Sequence, residues 1–463
     1  MYTAAAAAVW TGLGALGGCA QYHAQPLKPA AFHRRFQHRS LTNPHLRKFI
    51  ADQPIHVRPG FPRRQSLSTL VATGWYYSAA LRMQAAQIAL AQAHLITASQ
   101  SPNPSVGLSP TYAAKAGPGV SPWILGFNFD IPIETAGRRQ DRMAQALALI
   151  HAGRFNFGQT AWNVRQTIRR ALLEYLYARR QTRLLARQAA DTRLILSLLT
   201  ARFKAGDISR PVYTAAQIQA RQAALALLAA RGAMQRRRMR LAAAMSVPAR
   251  ALVGVKWFFP HLWRLPPVRA LKLHPLIRAA LLNRMDIQSL LARYQAAQAA
   301  LKLQVARQYP DIHLGPGYSF NQGANEFTLG LTMALPVFNQ NQGPIAAAAA
   351  HRRVIAADLL QKQTRVITAI GTALTTYRAD LRQWRAARAI ALRQRGQWNL
   401  TREAFAAGAQ SRLALAEAQF ALNTYQQAAL GARSAAALAL GHLENLLEKP
   451  LGRTPAQPKG LQP

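Results

Sequence analysis

The chain has 463 residues, half of them apolar, which is enough to bury a large core. Its 58 Lys and Arg against 16 Asp and Glu give a formal net charge of +42. The arginines are spread along the whole chain without a zinc-finger, RNP or basic-zipper pattern, which argues against nucleic-acid binding and favours a basic surface facing anionic lipid or lining a pore.

The N-terminus is typical of an exported protein. Residues 4–16 form an apolar run of signal-peptide length that is too short to span a bilayer, although no Lys or Arg precedes it. The tetrad LGGC, ending at Cys19, resembles a bacterial lipobox, whose cysteine is lipidated after cleavage; an ordinary small-residue cleavage site is the alternative. We expect a signal peptide over 1–18 and a lipidated, extended N-terminal arm over 19–65. Since Cys19 is the only cysteine, disulfides and thiolate metal sites are excluded.

The segment 66–250 carries a series of strong helix and strand patterns. A helical pattern runs from about Ser66 to Gln100, where the prolines of PNP end it, and two short alternating runs follow. After IPIETAG, a proline-free helix is predicted from about Arg138 to Phe203. The segment KAGDIS breaks it, and another helix follows to about Met245.

The second half repeats this order. A linker over 251–274 leads into a repeat over 275–448, with two alternating runs, the stretch LPVFNQNQGP, a proline-free helix to about Phe405, the break AAGAQS and a last helix. A C-terminal tail over 449–463 follows. Landmarks such as Pro132 with Pro336 stand a little over two hundred residues apart, so the chain is a tandem duplication.

Helix lengths set the shape of the molecule. At 1.5 Å per residue each long helix would measure about 100 Å, whereas each shorter helix, with about 35 residues, would measure about 50 Å. Two short helices end to end therefore match one long helix. A globular core cannot bury such a helix, so we expect lengthwise packing in a coiled coil or a helical tube.

The four alternating runs have the length and dyad pattern of transmembrane β-strands. WILGFNFDI and FTLGLTMAL each place large apolar residues on one face and Gly, Asn, Asp, Thr or Ala on the other. A soluble sheet packed on helices would give the same alternation. Four strands cannot close a barrel, and an open edge in lipid would leave backbone groups unpaired, so the chain must contribute to a shared barrel; three copies would give twelve strands.

These features together resemble the outer membrane efflux protein family, the TolC-like channels. The resemblance rests on the duplicated order of helices and strands and on the FxxG helix breaks. It also rests on the segments that lead into the strands, PNPSVGL and YPDIHLGPGYSF, and on those that lead from strand to helix, IPIETAGRRQ and LPVFNQNQGP. The strand-to-helix segments look most like the branch that serves heavy-metal and related RND-type pumps. The fold class is thus mainly α with transmembrane β: four strands per chain in a shared twelve-stranded trimeric barrel, and long helices in a periplasmic α-helical tunnel.

The resemblance implies a lipid-anchored homotrimer in the bacterial outer membrane. It would conduct substrates passively, either metal ions or small toxic compounds, from an inner-membrane RND-type pump through a periplasmic adaptor. It also places the adaptor contact and the gate at the far helical tip. The predicted tip residues are Phe203, Gly206, Asp207, Ser209, Phe405, Gly408 and Ser411. The predicted barrel-to-tunnel turns contain Pro132, Gly137, Pro336 and Gly343.

Other chemistries have little support in the sequence. The carboxylates stand singly, HxxxH and HExxH spacings are missing, and GxxxxGK[ST] does not occur. We therefore predict no enzyme, no cofactor, no metal site and no direct use of ATP. A periplasmic coiled-coil scaffold or adaptor without a pore remains the alternative function. The excess of Lys and Arg over Asp and Glu further suggests an anion-preferring lumen.

Overall fold

The structure, a computed structural model, describes residues 22–53, 64–114, 117, 119–257, 259, 262, 264–321 and 323–451. The predicted signal peptide, Cys19 and residues 452–463 of the predicted tail lie outside the described residues. Within them the chain is mainly helical, and its strands form one larger sheet and one two-stranded ladder.

The arm before the first repeat is not extended, contrary to the prediction. It contains helices α1 (Pro29–Gln37) and α2 (Pro44–Ala51), and the side chain of Asn43 accepts a hydrogen bond from the backbone N–H of His45 at 2.9 Å. Leu46 and Ile50 of α2 are buried in the core. Proline marks the start of both helices, where it is tolerated, and helices of 8 or 9 residues are too short to show a clear period.

The same order of elements occurs twice. The first copy contains α3 (Leu67–Tyr77), α4 (Ala79–Ser99), β2 (Ser105–Leu108), β3 (Thr111–Tyr112), β4 (Trp123–Ile133), α5 (Arg138–Lys204) and α6 (Arg210–Ala244). The second contains α7 (Leu273–Asn283), α8 (Met285–Ala306), β6 (Ile312–Asn321), β7 (Ala324–Met333), α9 (Gln342–Ala406) and α10 (Arg412–Leu447). Between the copies lies β5 (Lys256–Trp257), which pairs in parallel with β1 (Arg64–Gln65).

The long helices have the predicted length, but the helix ahead of each strand pair is divided. α5 has 67 residues and α9 has 65, so each measures about 100 Å. α4 and α8 have only 21 and 22 residues, because single extended residues, Ser78 and Arg284, separate them from α3 and α7. Ser78 caps α4 by accepting from the N–H of Leu81. Neither break contains Gly or Pro, the residues that usually mark a helix end, so the sequence does not predict these breaks.

The larger sheet is antiparallel, with strand order β2, β4, β6, β7. β3 also pairs with β4 and continues the path of β2, so the sheet has the four strand positions that were predicted. The outer edges, formed by β2 with β3 and by β7, pair with no other described strand.

The core lies around the middle of the long helices, away from the sheet. One buried cluster joins α2 and α3 to α5 through residues such as Leu46, Leu70 and Leu172. A second joins α9 to α10 through residues such as Ile370 and Leu443. The sheet is thus held at one end of the helical body, and the α5–α6 and α9–α10 hairpins extend from the core in the opposite direction along each long helix.

Candidate functional site

The apolar face of the large sheet is exposed and is not packed on helices. Phe327, Leu329 and Leu331 on β7 are 82%, 74% and 71% exposed, and Leu125 on β4 is 54% exposed. Water-facing sheets normally bury such a face against a helix or a second sheet. No described helix of this chain covers the apolar face, unlike a sheet packed on its own helices, and the face is suited to lipid.

The opposite face of the sheet is small and polar. A row crosses all four strands through Gly107, Asn128, Gly317 and Thr328, with the Asn128 amide over Gly107 and the Thr328 hydroxyl over Gly317. A Cβ on Gly107 would stand 2.5 Å from Asn128 Oδ1, so a residue with a side chain at this position would displace the Asn128 amide. Such a face is suited to a water-filled lumen rather than to a packed interior.

The charged groups on this polar face are few. His313 Nδ1 on β6 lies 2.8 Å from Asp130 Oδ1 on β4. Glu326 on β7 accepts hydrogen bonds from Ser319 and Asn321. The described strands of the large sheet carry no Lys or Arg, so the basic charge of the chain lies almost wholly in its helices and linkers.

A hydropathy search of the described residues finds no helix with the length and apolar character needed to cross a membrane.

The first strand-to-helix junction, IPIETAGRRQ, is held by arginines. Arg142 on α5 forms an ion pair with Glu134 and also donates to the carbonyl oxygens of Ala98 at 3.4 Å and Gln100 at 3.2 Å. Its guanidinium therefore closes the C-terminus of α4, where the helix dipole favours a cation. Its hydrogen bonds to Glu134 hold the pKa of that carboxyl below its ordinary value and raise the pKa of Arg142.

The same junction is tied to the second repeat. Thr135 Oγ1 donates to the carbonyl of Pro310 at 2.7 Å, and the Thr135 N–H donates to Asp311. Asp311 also forms an ion pair with Arg138 at the start of α5. The start of β6 and the end of β4 are thus fixed to each other by three polar side chains.

The second junction uses amides instead of ions. Asn341, with φ of 62°, precedes α9 and donates from Nδ2 to the carbonyl of Gln304 near the end of α8 at 2.6 Å. Asn339 Oδ1 accepts from the Asn341 N–H at 2.9 Å. At both junctions, the residue before the long helix has a left-handed backbone conformation, and a side chain caps the C-terminus of the preceding shorter helix. The sequences of the two junctions differ.

The predicted turn residues take four different positions. Pro132 lies within β4, opposite His313, rather than after the strand. It is tolerated because β2 pairs no further than Asp130, so the missing N–H faces no neighbour on that side. Gly137 precedes α5 with φ of 70°. Pro336 follows the end of β7 at Met333, which ends the ladder before Leu335, and Gly343 is the second residue of α9.

Both predicted hairpin tips have the same backbone geometry. The N–H of Gly206 donates to the Phe203 carbonyl at 3.1 Å, and that of Asp207 to the Arg202 carbonyl at 2.9 Å. Gly408 donates in the same way to Phe405 at 3.0 Å. Gly206 and Gly408 have φ of 84° and 77°, which favours glycine. Each FxxG break is therefore a Schellman C-cap.

The two tips differ in their polar groups. Ser411 accepts from the Ala414 N–H at 3.1 Å and caps α10, whereas Ser209 precedes α6 without a side-chain cap. Asp207 is exposed. The ring of Phe203 stacks on that of Tyr213 with centroids 4.7 Å apart. Phe405 is more exposed, at 37%.

One polar cluster was not predicted, because its members are arginines inside the helical body. Arg169 on α5 pairs with Glu444 on α10 at 3.0 Å, and both side chains are buried. Arg165, one turn earlier, stacks on Trp162, and burial lowers its pKa to about 10. Trp162 Nε1 donates to Asn445 at 3.1 Å. The spacing of Arg165 and Arg169 by four could have indicated one helix face, but not its burial.

The described residues contain no group of three or more His, Cys, Asp or Glu side chains able to hold a metal ion.

Comparison with protein families finds a family model that matches both repeats of the chain. The model for the outer membrane efflux protein family matches residues 77–247 and 276–448, which together are well over half of the chain. The two matched segments fall in the two repeats. Among curated proteins, no sequence match was found.

Comparison with solved structures gives the same fold at low identity. A membrane protein from Pseudomonas aeruginosa aligns with a TM-score of 0.67 and 18% identity, over 89% of this chain and 99% of that one. The outer membrane protein VceC from Vibrio cholerae aligns with a TM-score of 0.63 and 17% identity, over 82% and 95%. The MtrE outer membrane channel of Neisseria gonorrhoeae, in its open state, aligns with a TM-score of 0.64 and 16% identity, over 85% and 90%.

Proposed function

Because the chain belongs to the outer membrane efflux protein family, we propose that three copies assemble into an exit duct that conducts solutes passively through the bacterial outer membrane. The observation that carries the proposal is the four-stranded sheet with an exposed apolar face, a small polar face and two unpaired edges. The edges require that several copies share one barrel, because lipid provides no partner for an open strand. Three sheets of four strands would close a barrel of twelve.

The helices support lateral assembly as well. α6 carries exposed apolar side chains at Ile218, Leu225, Leu228 and Met239, which recur at close to heptad spacing. A stripe of this kind left uncovered on a single chain is suited to the long helix of a neighbouring copy. The same three copies would thus form a helical tunnel in the periplasm below the barrel.

The strand-to-helix junctions would mark the membrane boundary. A strand cannot give way to a helix within lipid without leaving backbone groups unpaired, so polar turns belong at the edge. Pro132, Gly137, Pro336 and Gly343 lie at or next to these turns, together with the ion pair of Glu134 and Arg142. Lipidation at Cys19 would add an anchor to the same leaflet.

The energy for transport would come from partners. A periplasmic adaptor would join the duct to an inner-membrane RND-type pump, and the pump would select the substrate, whether metal ions or small toxic compounds. The adaptor contact and gate would lie at the hairpin tips, about 100 Å from the sheet by helix length. The proposed tip residues are Phe203, Gly206, Asp207, Ser209, Phe405, Gly408 and Ser411.

Purification and bilayer recording test this function against a periplasmic scaffold without a pore. A duct should be extracted only by detergent, run as a trimer by light scattering, and give discrete conductance steps in a planar bilayer. A scaffold should be soluble without detergent and should produce no conductance steps in the bilayer. Either of those scaffold results would overturn the proposal.

A further inference from the structure

The outer third of α9, towards the second hairpin tip, carries a regular set of aromatic and arginine side chains. Arg388, Arg395 and Arg402 stand seven residues apart, and Trp384 and Trp398 stand fourteen apart. Residues at seven-residue spacing drift by only about 20° around a helix, so the set forms one stripe. We call these five residues the arginine–tryptophan ladder.

The ladder side chains lie along the helix surface. The guanidinium carbon of Arg388 is 5.7 Å from the ring centroid of Trp384, and that of Arg402 is 5.0 Å from that of Trp398. The three arginines are exposed, and the two tryptophans are half-buried. Cation–π stacking holds the guanidinium groups of Arg388 and Arg402 in place while their remaining N–H donors stay available.

No carboxylate neutralises the ladder. Among the described residues, Arg388, Arg395 and Arg402 form no ion pair, although all 16 Asp and Glu of the chain are described. Near the base of the ladder, Arg433 of α10 lies 5.6 Å from the Trp384 ring. Burial lowers the pKa of Arg433, and the neighbouring charges that lower it further are Arg180 and Arg388. The ladder therefore lies in a strongly positive field.

A second copy of this chain is a poor occupant for the ladder. Residues 179–240, which form the other hairpin, contain 14 Lys and Arg but only two Asp and no Glu. Residues 378–433 contain nine Arg against three Asp and Glu. Placing the basic side chains of this hairpin from a neighbouring copy directly on the ladder would bring like charges together, which is unfavourable, so the apolar stripe of α6 would meet the neighbouring long helix on a face other than the ladder.

We propose that the arginine–tryptophan ladder is the docking surface for an acidic helix of the periplasmic partner, with Asp or Glu recurring every seven residues beside apolar positions. Tryptophan and arginine are the residues that most often dominate protein interfaces, and a helix laid along α9 would match the heptad spacing. The proposal rests on the proposed function and adds the chemistry of the partner. It gives the excess of arginine on this helix a specific role.

Site-specific photocrosslinking in the native host tests the proposal. A benzoylphenylalanine at Ala391, between the two tryptophans, should crosslink to a helical segment with acidic residues at seven-residue spacing, read by mass spectrometry. The same group at Ala357, which is exposed on the same helix nearer the sheet, is the positional control. Crosslinking from Ala391 to another copy of this chain, or to a segment without that acidic pattern, would overturn the proposal.

Charge reversal gives the matching functional test. R395E combined with R402E should lower the crosslinking yield from Ala391 about tenfold, as loss of complementary interfacial charge does. R353E combined with R365E reverses two exposed arginines of the same helix outside the ladder, and should leave the yield within about twofold. Replacing the acidic residues of the crosslinked segment by Lys should restore the yield. An equal loss of crosslinking yield in both double variants would contradict the docking role of the ladder.

Bilayer recording of the same purified variants separates this proposal from the duct itself. If the ladder contacts a partner, R395E with R402E should form trimers and conduct like the unmodified protein, with unchanged anion-to-cation permeability in a KCl gradient. A fall in that permeability ratio with no change in crosslinking would show that the ladder lines the lumen, which contradicts the docking role. Absence of any conductance in the unmodified protein would instead refute the duct.

Discussion

Arg169 on α5 and Glu444 on α10 form a buried ion pair between the two repeats, with Nε and Oε2 3.0 Å apart. Arg165 lies one turn away with its Nε and Nη1 lacking hydrogen-bond acceptors, and Glu444 is the carboxylate that raises its pKa against the effect of burial. One acid therefore offsets two buried arginines. Such a pair fixes the position of α10 on α5 because neither charge can be left alone in the interior.

Removing the carboxylate charge should weaken the fold severely. We expect Glu444→Gln to lower the free energy of unfolding by about 3–5 kcal/mol, because it leaves Arg165 and Arg169 buried without a counter-charge. Thermal unfolding of the detergent-solubilised protein, followed by tryptophan fluorescence, measures the change. Glu174→Gln, which breaks the exposed Arg170 pair, is the control, with a loss of at most about 0.5 kcal/mol. Equal losses in both variants would contradict the account of the buried pair.

Glycine at position 441 is required by the same ion pair. A Cβ there would lie 2.0 Å from Arg169 Nη1, whose buried side chain is held by the ion pair with Glu444. We expect Gly441→Ala to destabilise by about 1–3 kcal/mol through overpacking. Gly431→Ala on the same helix meets nothing closer than 3.9 Å and should stabilise by up to about 1 kcal/mol through helix propensity. The two melting temperatures should therefore move in opposite directions; a shared direction would refute this reading.

The first junction should make the fold sensitive to acid. Hydrogen bonds from Arg142 lower the pKa of Glu134 below its ordinary 4.5, so the ionised carboxylate stabilises the folded chain above that pH. This contribution is lost as pH falls through the lowered pKa. We expect Glu134→Gln to melt at a lower temperature than the unmodified protein at pH 7, with the gap narrowing as pH falls below 4. A gap that is independent of pH would show that the carboxylate charge is not responsible.

The two faces of β7 should respond differently to a cation. Leu331 is 71% exposed on the apolar face, and its neighbour Thr332 points to the polar face beside His313. Leu331 lies two residues from the end of β7, so Leu331→Lys should cost an insertion energy between the about 2–4 kcal/mol of a midplane lysine and the about 0–1 kcal/mol of an interfacial one. We expect Leu331→Lys to reduce the amount of trimer in the outer-membrane fraction several-fold, and Thr332→Lys to leave it near normal. Similar losses in both would argue against a lipid-facing apolar side.

The elements with a strong periodic signal were predictable from the sequence. The helices over Arg138–Lys204 and Gln342–Ala406, the four strand positions and the FxxG caps follow from hydrophobic period, proline and glycine. The paired helix break was not predictable. It depends on Ser78 capping α4 and on Arg284 pairing with Asp286 and Glu448, and the contact with Glu448 joins residues that are far apart in the chain.

The largest error concerns the arginines. Their number and even spread indicated a solvated basic surface, yet Arg165, Arg169 and Arg284 are buried. Sequence spacing places each on a helix but does not show which face another repeat covers. The partners that make burial possible, Glu444 and Glu448, lie more than 150 residues away. The short helices of the arm were missed for a related reason, since Leu46 and Ile50 form their helix against a core built by α3 and α5.

Single-channel recording of the purified protein tests the central claim most directly. The protein should be extracted by detergent as a trimer and, when added to a planar bilayer, should produce discrete conductance steps. Leu331→Lys should reduce how often such steps appear, and Thr332→Lys should not. A protein that is a soluble monomer without detergent, and that leaves the bilayer silent at every concentration tested, would contradict the account.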